Sequence, residues 1–170
     1  TWDKDICDFG CGAGLFIDAV AKDCSSVVGV ELQTRYLDSI KKRGMKCTNS
    51  LNDLSDSSLD CIFSFHVLEH LPDPLKILDE LQTKLRPGGL LIVEVPHARD
   101  ILLSGPIENE VFKKFTLWSQ HLILHTRDSL RGFLSHSGFE NVLIKGVQRY
   151  PLSNHLFWLA HNRPGGHIGT

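Results

Sequence analysis

The chain has 170 residues and a mass of 19.1 kDa, the size of one ordinary domain. It is 42% hydrophobic and 22% charged, which excludes disordered and low-complexity classes. A net charge of -2 gives no basic field for a nucleic-acid partner. No apolar run approaches the ~20 residues that cross a bilayer, and no basic-then-apolar leader opens the sequence, so neither a membrane span nor secretion is expected.

The elements follow in chain order. Asp5–Phe9 reads as a strand that runs into a glycine-rich turn, and Leu15–Lys22 as a helix. Ser26–Glu31 is a β-branched strand, Thr34–Lys42 a helix ended by Gly44, and Met45–Thr48 a short strand. Leu59–Phe65 is a buried strand. Asp73 caps a helix with Pro74 at its first position, and Leu75, Leu78, Leu81 and Leu85 share one face. Pro87-Gly88-Gly89 turns the chain into the strand Leu90–Val95. Residues 97–125 carry mixed signals. Thr126 then caps a helix closed by Gly138, and Glu140–Val147 and His155–Ala160 read as a last pair of strands.

Alternating strands and helices predict an α/β fold: a parallel sheet with helices on both faces. The link Gln148–Asn154 is too short for a crossover helix, so the last two strands are expected to be antiparallel. No repeat or linker divides the chain, and one domain spanning 1–170 is expected.

The five cysteines, Cys7, Cys11, Cys24, Cys47 and Cys61, are odd in number and lack C-x-x-C spacing. Reduced thiols in a cytoplasmic protein fit them better than a disulfide frame or a zinc knuckle.

The turn Asp8-Phe9-Gly10-Cys11-Gly12-Ala13-Gly14 lets a ligand approach the backbone. Its spacing is G-x-G-x-G. It fails the dinucleotide pattern G-x-G-x-x-G, which argues against a nicotinamide oxidoreductase, and lacks the Lys-Ser/Thr of a P-loop. Glu31 ends the second strand, where an acid can accept both hydroxyls of a ribose. Alone it reads as a solvated side chain; after this turn, the ribose reading is favoured.

Four segments in order, DFGCGAG, VVGVEL, LDCIFSFHVLEHLPDP and LRPGGLLIVEVP, resemble the motif series of class I S-adenosylmethionine-dependent methyltransferases. The resemblance covers residues 5–97, and TRDSLRGFLSHSGFENV follows the family's late helix-and-strand pattern more loosely. It implies a doubly wound, Rossmann-like sheet of seven strands with the last antiparallel. It also implies S-adenosylmethionine as cofactor and methyl transfer to a small-molecule acceptor. By the same resemblance, Gly10, Cys11, Gly12 and Gly14 line the cofactor and Asp8 bonds loop amides or the cofactor's amino group. Glu31 grips the ribose, and Leu32 packs on the adenine. Asn49, Ser50 and Leu51 border the adenine edge, and Phe65 and His66 the sulfonium end. Many members carry N-terminal helices over the cofactor; the sequence starts just before its first strand, so those lid helices are not expected here.

A methyltransferase-like binding domain without turnover is the rival reading outside enzymes. A hydroxyl acceptor wants a general base, and His66 and His155 are the candidates. The carboxyl ends of parallel strands form the ligand edge, and the link after the penultimate strand leaves there. Arg149, Tyr150, Asn154 and His155 are therefore expected to face the acceptor from one side, with Trp118 and His121 on the other. QRYPLSNHLFWLAHNRPGGH is similar to the tail of bacterial methyltransferases of surface-sugar synthesis, which implies a sugar or polysaccharide precursor as acceptor. His66-Val67-Leu68-Glu69-His70 spells H-x-x-E-H, but it follows a strand and precedes Pro72, so Glu69 and His70 are expected only to shape a turn. His121 and His125 lie one helical turn apart with no third ligand in sequence. Neither motif is expected to hold a metal. Oligomeric state is not legible.

Overall fold

Ile6 and Cys7 are adjacent in sequence, point to opposite faces, and are both buried, so their strand must be covered on each side. That strand is β1, Trp2–Phe9, at the centre of a computed structural model that describes residues 2–117 and 120–165. It is followed by α1 (Leu15–Val20), β2 (Cys24–Val30), α2 (Thr34–Lys42), β3 (Lys46–Thr48), β4 (Leu59–Phe65), α3 (Pro74–Lys84) and β5 (Leu85–Glu94). Four helices complete the described residues: α4 (Ile101–Ser104), α5 (Glu110–Thr116), α6 (Arg127–His136) and α7 (Leu152–His161).

The sheet has the order β3-β2-β1-β4-β5 and every pairing is parallel. Ile6, Ile17, Ile40 and Phe63 pack under α1 and α2 on one face. Cys7, Ile62, Leu78, Leu81, Leu130 and Leu134 pack under α3 and α6 on the other. The layers are thus those of a doubly wound fold. Asp73 caps α3 by accepting from Lys76 N–H, and Thr126 caps α6 by accepting from Ser129 N–H. Pro87-Gly88-Gly89 does not separate helix from strand. It bulges out within β5: Leu85 pairs with Leu59, and pairing resumes at Leu90 with Cys61.

The expected seven strands are five among the described residues, and the antiparallel pair is absent. Residues 155–160 are helical, within α7. Asn154 and Trp158, one turn apart, are its buried residues, while Leu152, Leu156 and Leu159 face out. An apolar run of this length fits helix as well as strand, and its inward spacing is helical. Trp158 seals the contact edge-on against Phe112 of α5, and Asn109 donates to its carbonyl. Residues 140–147 keep strand-like alternation, with Val142 and Ile144 against the core and Leu143 outward, but no ladder forms there.

Leu78 has no exposed surface and joins α3 to α6. Leu78→Ala should lower unfolding free energy by about 2–5 kcal/mol in urea denaturation, without altering the slope.

Candidate active site

The chain winds outward from β1 to β3 and returns to β4 on the other side, so the crevice opens at the carboxyl ends of β1 and β4. Gly10 leaves β1 at φ 78°, and its N–H donates to the Val30 carbonyl at 2.8 Å. A Cβ there would run into the branched Val67 side chain, so only glycine fits. Gly12, at φ 51°, is different: a Cβ would meet nothing within 4 Å, which leaves open space over its backbone. Gly14 caps α1.

Glu31 is buried at the end of β2. Its Oε2 accepts Gly12 N–H and its Oε1 accepts Gln33 N–H, each at 2.8 Å. The carboxylate is thereby oriented while each oxygen keeps a further lone pair for a ligand hydroxyl. Asp8 is 3% exposed. Burial, and then the charge of Glu31, push its pKa up to about 6. The loop amides that Asp8 was expected to bond go to Val30 and Glu31 instead. Leu32 is 77% exposed beside Glu31, and Asn49 is exposed after β3. Ser50 accepts Asn52 N–H and starts a short 3-10 turn. Two expected cofactor contacts are corrected at the side chain. Leu51 packs in the core with Phe9, Val30 and Ile62, and the Cys11 thiol is buried among Ile17, Ile40 and Phe63. Phe65 is half-buried against Phe16 and Phe63.

His66 ends β4 in the left-handed region, φ 57°, a strained setting for a side-chain-bearing residue. Its N–H donates to the Glu94 carbonyl at 2.8 Å, and its Nε2 lies 2.9 Å from Glu94 Oε1. Its Nδ1 lies 3.3 Å from Glu69 Oε1. Glu69 raises its pKa, burial opposes this, and Glu94 adds to the rise. Arg149 Nη1 touches His66 Nε2 and stands 3.3 Å from Glu94 Oε1. Arg149, in the segment before α7, thus lies at the carboxyl ends of β4 and β5.

A methyltransferase domain model matches residues 3–144. This chain belongs to the methyltransferase domain family. The cofactor of such a domain is S-adenosylmethionine, and the open backbone of Gly12, the oriented Glu31 carboxylate and the exposed Leu32 fit it. The chain is 28% identical over 100 residues to a ubiquinone biosynthesis O-methyltransferase of Colwellia psychrerythraea, covering 53% of this chain and 41% of that protein. It is 24% identical to the Ralstonia nicotianae protein of the same name, covering 94% and 72%. A solved S-adenosylmethionine-dependent methyltransferase from Mesorhizobium loti superposes with a TM-score of 0.67 at 21% identity, covering 96% of this chain and 88% of that one. The chain spans less than half the length of the first curated relatives it matches.

Other expected residues of the methyltransferase domain divide. Tyr150 is half-exposed with the Arg149 guanidinium 5.9 Å from its ring. Asn154 is 4% exposed and accepts Gly165 N–H, so it fastens the chain after α7 and does not face an acceptor. The His155 ring bonds the Pro151 carbonyl one turn back, and no contact among the described residues joins it to His66. Trp118 lies outside the described residues. His121 donates to the Thr116 carbonyl, and its ring lies 4.9 Å from that of His70, tilted by 43°.

Sequence reasoning missed Glu94, whose only local signal was its place at the end of a strand, and misjudged Glu69. The Glu69 side chain has no exposed surface and no hydrogen-bond partner at either oxygen, while its carbonyl accepts Leu122 and Ile123 N–H. The HVLEH and HLILH segments are thus tied together. The five cysteines are free thiols. No helix among the described residues is long and apolar enough to cross a membrane.

The raised Asp8 pKa has a definite linkage. Protonated Asp8 favours the fold, so its stabilisation is present below about pH 4 and is lost as pH rises to about 6. Asp8→Asn should be near-neutral at low pH and stabilise the ligand-free chain by on the order of 2–3 kcal/mol above pH 6. Chemical denaturation of both proteins across that range measures the difference.

Proposed function

We propose that this domain transfers the methyl group of S-adenosylmethionine to a hydroxyl of a small polar acceptor, a sugar or surface-polysaccharide precursor, in the cytoplasm. The observation that carries the reading is the adjacency of two unlike surfaces. A backbone cradle with an oriented acid, Gly10 to Gly14 with Glu31, borders a polar edge made by His66, Glu94 and Arg149. Free thiols suit a reducing compartment.

Bound in the cradle, the cofactor supplies an activated methyl group. The protein's part is orientation and exclusion of water. Asp8, Glu31, Leu32, Asn49 and Ser50 hold the cofactor, with backbone from Gly10, Cys11, Gly12, Gly14 and Leu51. His66 and Phe65 border the transferring end. Arg149 and Tyr150 wall the acceptor from one side and His121 from the other. As the acceptor oxygen takes the methyl group, its proton passes to the His66 imidazole, which two carboxylates flank. His155, the second general-base candidate, stays outside this arrangement because its ring bonds the Pro151 carbonyl at the start of its own helix.

A second reading takes the acceptor from the relatives' names: an oxygen of a ubiquinone precursor. The charged edge favours the sugar, since a quinone with a lipid tail wants apolar walls. A methyl-transfer assay with nucleotide sugars and hydroxylated quinone precursors separates the two. Turnover of the quinone precursors alone would replace the sugar assignment.

Glu31→Ala should weaken S-adenosylhomocysteine binding roughly ten- to a hundredfold in calorimetry, from the loss of hydrogen bonds to a charged group. Arg149→Ala should lower kcat/KM for the acceptor by a similar factor and leave cofactor affinity unchanged. Equal loss of both quantities would place Arg149 in the cofactor site.

A further inference from the structure

Glu69 is the least explained acid in the molecule. Its side chain has no exposed surface, and neither oxygen has a hydrogen-bond partner. Its nearest charged neighbour is His66, whose Nδ1 lies 3.3 Å from Oε1. A buried carboxylate in that state is costly unless a cation compensates it.

Two histidines stand beside it. Donor atoms of Glu69, His70 and His121 all lie within 4.8 Å of one another, and His70 Nε2 is 4.0 Å from Glu69 Oε1. Their tautomers are fixed. His70 Nδ1 bonds the Gln120 carbonyl and His121 Nδ1 the Thr116 carbonyl, both at 2.6 Å. A carbonyl only accepts, so each Nδ1 carries the hydrogen, and in the neutral imidazole each Nε2 keeps its lone pair. Backbone carbonyls orient ligating histidines in metal sites in this way. The backbone bonds from Leu122 and Ile123 to the Glu69 carbonyl hold the two segments at this separation.

We propose that Glu69, His70 and His121 bind one divalent transition-metal ion. Two imidazoles and one carboxylate suit zinc, cobalt or ferrous iron and disfavour magnesium and calcium, which take oxygen ligands. A tetrahedral shell would bring the donors to about 3.4 Å apart, a contraction that side-chain rotation of the partly exposed His70 and His121 supplies. Three protein ligands leave a position open, as in catalytic sites. Through Glu69 the site adjoins His66, so on the methyl-transfer reading above a bound ion would supply a Lewis acid beside it. The expectation from each motif alone, that neither binds metal, gives way here because the ligands come from both. The H-x-x-E-H pairing itself plays no part, since residues 68–70 form only a 3-10 turn.

The test is metal binding, read without any acceptor. The chain is stripped with chelator and titrated with Co2+ while visible absorption is followed; Zn2+ then competes. One equivalent with d–d bands, displaced by zinc, is expected. His121→Asn, on a partly exposed side chain, should weaken binding roughly a hundredfold or more, with circular dichroism unchanged. Should that variant fail to fold, His70→Asn serves the same comparison. His136→Asn, at the exposed end of α6, should bind as the parent does. Absence of saturable binding at micromolar Co2+, or equal binding by the parent and the His121 or His70 variant, overturns the proposal. S-adenosylhomocysteine titration of the stripped protein tests the cofactor site separately, so failure of one leaves the other standing.

Discussion

The placement of β1 governs everything functional in this molecule. It is hydrogen-bonded to β2 on one side and β4 on the other, and covered on both faces. Over Ile6–Phe9, where both faces are buried, it cannot slip in register without turning a residue such as Ile6 to the wrong layer. Its end is therefore fixed, and with it the turn that starts at Gly10. The neighbouring strand ends bring Glu31 and His66 to the same crevice, and Val67 closes against Gly10 from the β4 side. A loop set by three strands is stiff enough to position a ligand.

Three acids are buried near that crevice, and each meets the cost of burial differently. Glu31 receives two backbone N–H groups. Asp8 has none and shifts its pKa toward the neutral form. Glu69 has no hydrogen-bond donor at either oxygen, and what surrounds it is a group of histidines: His66, His70, His121 and the buried His125, whose Nε2 is also unpartnered. Burial lowers the pKa of His125 while the charge of Glu69 opposes that. The first two arrangements are complete within the chain. The third has the His66 ring, 3.3 Å from Oε1, as its nearest charged group.

Local signals read the nucleus of the fold well. The strand Leu59–Phe65, the helix Thr34–Lys42 and the caps Asp73 and Thr126 stand where residue type and period put them, because each is decided by neighbours within a turn or two. The glycine turn and Glu31 were legible for the same reason. The misreadings arose where the deciding partner is distant. Residues 155–160 offered an apolar run that suits strand or helix, and Phe112 and Asn109 of another segment decide it. Leu51 and Cys11 lie in the right loops, but the core claims their side chains. Asn154 looked free in a polar link and is buried by the chain that follows it.

The two histidine motifs show the limit most clearly. H-x-x-E-H fails as a helical metalloprotease pattern because residues 68–70 form only a 3-10 turn, and HLILH alone lacks a third ligand. Neither spacing encodes the contact that matters, which is a backbone carbonyl at Glu69 accepting from Leu122 and Ile123. Those two hydrogen bonds carry no sequence signature, since any residue but proline supplies them. They nevertheless bring His121 to His70 and turn two unremarkable motifs into a convergent set of donors around a buried charge. Because the contact runs through backbone, substitutions at Leu122 or Ile123 that keep the chain's path leave it intact. A metal ion held there would therefore depend on Glu69, His70 and His121 themselves.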